Sequence, residues 1–176
     1  MIKYWCTKFC LLTLHLQKKL TAMKSRKVKR ENERYILLVE DSQDDIDLVL
    51  LALKQNNIKD NVVIKSNGRE ALKFLQELPE EEKPFSKNPT LILLDINMPE
   101  LNGLEVLKKI REQNPARDIP VVMLSSSDEK QDIAKSYEFG ANSYIRKPVD
   151  FEEFINAVKH VGAYWLNWNR TVSSSR

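Results

Sequence analysis

The sequence contains no apolar run approaching the roughly 20 residues that a helix needs to cross a bilayer, so no membrane span is expected. It has only two cysteines, Cys6 and Cys10, both near the start. Their spacing, with no second Cys or His pair nearby, is not a zinc-site pattern. The remainder, free of cysteine, has no disulfide framework. The opening stretch also lacks a sustained apolar segment and an Ala-x-Ala-like cleavage site, which argues against a secretory signal. A strong overall charge is missing too: the net value is +3.

That small total hides a split. Residues 1–34 hold ten Lys and Arg against two Glu, a surplus of eight, while residues 35–176 hold 18 against 23, a deficit of five. The basic stretch is expected to be a solvated, disordered extension over residues 1–34, with Met23 as an alternative start of the chain. Its segment KSRKVKRENER would also suit an acidic surface or nucleic acid. The body, within a chain that is 42% hydrophobic and 30% charged, has enough apolar residues for a core.

From Tyr35 onward the pattern is regular. YILLV (35–39), NVVIK (61–65), TLILL (90–94), PVVML (120–124) and SYI (143–145) read as strands. Between them lie helical segments: SQDDIDLVLLALKQ, with Ile46, Val49, Leu50 and Leu53 at helical spacing, then GREALKFLQEL, GLEVLKKIREQ and SDEKQDIAKSYEFG. DFEEFINAVKHVGAYWLNW reads as the last helix, and PEEEKPFSKNP as a polar, proline-punctuated loop. Strict alternation of strand and helix requires crossovers and hence parallel pairing. Strands that are apolar throughout fit burial on both faces. The expected fold is α/β: a doubly wound, five-stranded parallel sheet flanked by five helices.

Such sheets place their sites beyond the carboxyl ends of the strands. There stand Glu40 and Asp41 after the first strand, Asp95 after the third, Ser125 after the fourth, and Lys147 after the fifth. Singly, each has a plain structural use: Asp41 or Ser42 as a helix cap, Asp95 opening a turn before Pro99, Ser126, Ser127 or Asp128 as a cap, Lys147 reaching solvent. Together on one rim they read as a site. Three carboxylates so close need a cation or raised pKa values. An oxygen-only set without His or thiolate suits Mg²⁺. A metal and a lysine ammonium would neutralise an incoming phosphoryl group, and a carboxylate at the end of a rigid strand is a competent nucleophile for it.

The motifs LLVEDS, LLDINMPELNG, VVMLSSS and YIRKP, in this order, resemble the receiver domain of two-component response regulators, which has a flavodoxin-like fold. The resemblance implies that Asp95 is the phospho-acceptor. It makes Asp41 and Asp95 direct Mg²⁺ ligands together with the backbone carbonyl of Asn97, while Glu40 acts through water. Ser125 corresponds to the switch hydroxyl, Lys147 to the lysine that pairs with the phosphoryl group, and Tyr144 to the aromatic whose ring moves with the switch. Lys147-Pro148 would be the family's cis peptide. Glu40 stands where many members carry Asp, and Ser125 where others carry Thr; each keeps its chemical group.

The resemblance further implies a cytoplasmic phospho-acceptor signalling protein, rather than an enzyme acting on foreign substrates, with a histidine kinase as partner. The receiver body is placed at residues 35–166 and a C-terminal tail at 167–176, too short for a DNA-binding output domain, so a stand-alone regulator is expected. VGAYWLNW and the PEEEKPFSKNP loop are similar to the small regulators that serve phytochrome-type histidine kinases. Output by contact suggests a homodimer through the face of the fourth helix, fifth strand and fifth helix, extended by Tyr164, Trp165 and Trp168; the alternative is that these aromatics fold back on their own domain. Two other functions weigh less. A dehalogenase-type phosphatase needs a second Asp two positions after the nucleophile, where this chain has Asn97. A nucleic-acid adaptor would rely on the basic extension.

Overall fold

ILLV, LILL and VVML leave no polar face for a strand to show to water. In the structure, a computed structural model, they form β1 (Ile36–Val39), β3 (Leu91–Asp95) and β4 (Val121–Ser125), every residue of them buried. The less apolar VVIK and SYIR form β2 (Val62–Lys65) and β5 (Ser143–Arg146), whose residues are mostly half-buried. All pairings are parallel and the order is β2-β1-β3-β4-β5, which puts the apolar strands in the middle and the mixed ones at the edges. The chain is described over residues 34–55, 62–78, 88–112 and 116–169, all within the unit Arg34–Arg176. The expectations for the basic extension up to residue 33, for Met23, for residues 79–87 of the polar loop and for the chain beyond 169 lie outside the described residues.

The helices are α1 (Gln43–Lys54), α2 (Gly68–Gln76), α3 (Gly103–Glu112), α4 (Lys130–Glu138) and α5 (Phe151–Ala163). Strand side chains alternate between two cores, as a period of two requires. Ile36, Leu38, Leu91, Leu93, Val122 and Leu124 pack with Ile46, Val49 and Leu53 of α1 and Phe154, Ile155 and Val158 of α5. Leu37, Val39, Ile92, Leu94, Val121 and Met123 pack with α2 and α3. Each fully buried Leu contributes roughly 1.5–3 kcal/mol of transfer free energy.

Short polar side chains start most of the helices. Ser42, Asn67 and Asp150 accept from the backbone amides of Asp45, Glu70 and Glu153. Asn102 and Glu105 form a reciprocal capping box at the head of α3. Ser42, not Asp41, therefore caps α1, which leaves Asp41 free for other work. Gly140 closes α4 at φ +91°, a conformation that favours glycine.

Some boundaries differ from the sequence pattern, to some purpose. β3 and β4 each run one residue further than their apolar cores, so that Asp95 pairs with Leu124 and Ser125 with Arg146 in the ladder. A polar side chain at the sheet edge does not end backbone pairing. The last helix does not run on unchanged: after Ala163 it widens into a π-helical turn, Tyr164–Trp168. That turn buries Leu166, sets Trp165 against the α1/α5 core and leaves Tyr164 and Trp168 exposed. Leu166 also accepts a hydrogen bond from Arg34, just before β1, so the turn lies at the amino ends of the strands.

Candidate functional site

At the carboxyl ends of the strands the ladder delivers each expected group. Glu40 follows β1 and is still tied to β2 through its amide, which donates to the Lys65 carbonyl at 3.0 Å. Glu40 and Asp95 are buried, 1% and 2% exposed, whereas Asp41 faces solvent. Carboxylate oxygens of Glu40, Asp41 and Asp95 come within 4.8 Å of one another. These are oxygen donors only, with one open side at Asp41, which fits a hard divalent cation that keeps part of its water shell.

Lys147 reaches into the same cluster. Its Nζ lies 2.7 Å from Glu40 Oε2, 2.8 Å from Asp95 Oδ1 and 2.6 Å from Asp45 Oδ2. Asp45 was not among the expected site residues. By sequence it is one of two acids in the first turn of α1, a common placement beside a helix N-terminus. Alternation explains how it arrives: Asp95 continues the Leu91–Leu93 row, on the side of the sheet that α1 covers. The lysine does not reach out to solvent.

The cluster holds four carboxylates and one ammonium, so the fully ionised site has three uncompensated negative charges. Burial accordingly pushes the Glu40 carboxyl above its usual range, against the Lys147 hydrogen bond, and the Asp95 charge raises it further. Asp95 is also raised by burial, opposed by Lys147 and by the Asn97 backbone amide. For Lys147, burial works against the charge, but hydrogen bonds to Asp45, Asp95 and Glu40 outweigh it and raise its pKa. A divalent cation would offset two of these three charges and favour both buried acids in their ionised form.

Ser125 and Tyr144 meet on the other side. Ser125 is fully buried, and its Oγ accepts from the Ser127 amide at 3.1 Å. The Tyr144 hydroxyl donates to the Ser127 carbonyl at 2.8 Å, and its ring packs on the core beneath α2 and α3. Burial raises the Tyr144 pKa, and a hydrogen bond with Ser125 opposes this. The β4–α4 segment is tied down further by Arg146–Asp128 at 3.0 Å and by Ser127 Oγ donating to Asp132 at 2.9 Å. Ser127 also accepts from the Glu129 amide, so none of Ser126, Ser127 and Asp128 is the N-cap of α4, a position held by Glu129. Asn97 is exposed, and its side-chain amide lies 3.3 Å from Ser126 Oγ.

Below the site, α3 begins against the backbone of β3. Gly103 donates to the Ile96 carbonyl at 2.9 Å, and a Cβ built on it would sit 2.1 Å from the Asp95 carbonyl oxygen. Only glycine permits that approach. The turn between them holds Glu100 at φ 64°, a left-handed conformation unusual for a residue with a side chain.

The aromatics expected to extend the dimer face follow α5 directly, with Tyr164 and Trp168 exposed. α5 starts at the site and runs back along the sheet, so Tyr164–Trp168 ends up by Arg34 at the opposite edge. Trp165 stacks edge-on with Tyr164 and packs on its own domain.

The profile of the response regulator receiver domain matches residues 36–159. The response regulator Rcp1 of Synechocystis sp. is 38% identical over 133 residues, covering 76% of this chain and 89% of Rcp1. The crystal structure of the phosphorylated cyanobacterial phytochrome response regulator RcpA superposes with a TM-score of 0.71 at 35% identity, covering 80% of this chain and 99% of that one. The Mn²⁺-bound form of Rcp1 gives 0.68 at 37% identity, with 78% and 97% covered.

Proposed function

The chain belongs to the response regulator receiver domain family, and on that premise we propose that it accepts a phosphoryl group on Asp95 from a histidine kinase, with Mg²⁺, and signals by protein contact. The observation that carries this is the convergence on Asp95 of a partly buried ammonium at 2.8 Å and a carboxylate cluster suited to a divalent cation. Glu40, Asp41, Asp95 and the Asn97 carbonyl would hold the metal, which neutralises phosphoryl charge when bound. Lys147 orients the phosphoryl oxygens, Ser125 follows them, and Tyr144 fills the space that Ser125 leaves. The unit acting is residues 35–166, in the cytoplasm where such kinases work. Similarity to RcpA supports a phytochrome-type kinase as donor.

For output we propose a homodimer through α4, β5 and α5, supported by exposed Tyr137, Val149 and Phe151 on or beside those elements. Sedimentation with and without a phosphoryl mimic tests it: a monomer in both states at tens of micromolar contradicts the dimer. Phosphorylation itself is tested by incubating the protein with Mg²⁺ and acetyl phosphate and reading intact mass. One added phosphoryl group is expected for the wild type and none for Asp95→Asn; an undiminished phosphorylated species in the variant would overturn the assignment.

A further inference from the structure

An ammonium has three N–H donors, and Lys147 gives each to a carboxylate: Glu40, Asp95 and Asp45. Two of these acceptors change during phosphoryl transfer. An Asp95 oxygen forms a bond to phosphorus while the bond between phosphorus and the donor's leaving group breaks, the electron pair departing with the donor. The phosphorylated Asp95, now an acyl phosphate, then carries no carboxylate charge. Glu40 belongs to the group whose oxygens can gather round a cation. Asp45 does neither, since its carboxylate lies outside that group and it approaches from the first turn of α1.

Resting on Asp95 as the phosphoryl acceptor, we propose that Asp45 is a positioning residue that holds the Lys147 ammonium in place through the transfer. Without it, Lys147 keeps two acceptors, both in the reacting cluster, and collapses toward Asp95. There it blunts the nucleophile and competes with the cation for the same oxygens. With it, one donor is anchored on α1 while the donor on Asp95 passes from the carboxylate to the phosphoryl group. The anchor's backbone is held in the first turn of α1, where the Asp45 amide donates to the cap Ser42. Its partial exposure, 32% for the side chain, leaves room for a longer acid to reach the same nitrogen.

The test measures initial phosphorylation rates from acetyl phosphate at saturating Mg²⁺ on the full chain. Asp45→Asn should slow the reaction roughly tenfold, the scale of one charge-assisted hydrogen bond. Asp45→Glu should recover at least half the rate. In a Lys147→Met background, Asp45→Asn should cost nothing further, because the residue acts through that lysine; a merely structural role would cost the same factor in both backgrounds. A wild-type rate in Asp45→Asn, no recovery with Glu, or an equal loss in both backgrounds would overturn the proposal. Wild-type protein that takes no phosphoryl group would instead sink the function proposed above and this role with it.

Discussion

Gly103→Ala is the substitution for which the structure sets the sharpest expectation. The new methyl group would sit 2.1 Å from the Asp95 carbonyl oxygen and 2.9 Å from both the Asp95 carbonyl carbon and Ile96 Cα. Reaching an ordinary contact requires the head of α3 and the end of β3 to part by about 1 Å, and backbone atoms cannot rotate aside. Overpacking at the upper end of its range costs about 3 kcal/mol. Weakening the Gly103–Ile96 hydrogen bond costs about 1 more. Alanine returns up to about 1 through helix propensity. The net is a loss of about 3 kcal/mol, large against the roughly 5–15 kcal/mol of a whole domain. Gly68→Ala is the milder comparison: there a Cβ would meet the Val106 Cγ2 methyl at 2.5 Å and the Leu101 carbonyl oxygen at 3.0 Å, so its backbone contact is 0.9 Å longer than that at Gly103. Urea unfolding followed by circular dichroism gives both values. If Gly103→Ala falls within about 0.5 kcal/mol of wild type, an ordinary surface effect, or costs less than Gly68→Ala, the close approach is not what fixes the end of β3.

Asp41→Asn should weaken Mg²⁺ binding by removing a charged ligand on the open side of the cluster; calorimetry giving unchanged affinity would take Asp41 out of the coordination shell. Glu100→Gly should stabilise the fold by about 1 kcal/mol by relieving a left-handed backbone, and a loss of stability in urea would show that the exposed Arg69–Glu100 pair matters more. Burial pushes the Tyr35 hydroxyl up to about 12. Between its usual value near 10 and about 12 the unfolded chain has lost that proton while the folded chain keeps it, so stability should fall as pH rises through this window. Tyr35→Phe should flatten the fall and remove one late-ionising tyrosine from the ultraviolet titration; an unchanged titration would show that Tyr35 ionises normally.

Most of the sheet was legible because ILLV, LILL and VVML admit one environment only, with both faces covered. The site was legible for a related reason: a carboxylate, a hydroxyl and a lysine each stand where an apolar run stops, and parallel strands bring those stops together. What the sequence concealed are side chains whose use depends on a neighbour distant along the chain. Asp45 looks like an ordinary acid in a first helical turn, and only the arrival of β5 gives it Lys147. Arg111, inside KKIRE, looks solvated. Yet its guanidinium donates to the carbonyls of Gly140, Arg117 and Ile119 and to Asn142 Oδ1, fastening α3 to the α4–β5 junction. The π-helical turn was hidden as well, since Tyr-Trp-Leu-Asn-Trp continues a helical pattern; burying Leu166 beside Arg34 is a tertiary choice.

The central claim is that the phosphoryl group goes to Asp95, with three serines, Ser125, Ser126 and Ser127, as nearby competitors. Reductive trapping decides between them. Protein incubated with Mg²⁺ and acetyl phosphate is treated with borohydride, which converts an acyl phosphate to the alcohol, and peptides are then sequenced by mass spectrometry. Phosphorylation at Asp95 predicts homoserine at position 95 and a phosphoryl group released by neutral hydroxylamine; an unreduced Asp95 with hydroxylamine-stable phosphate on a serine would contradict it.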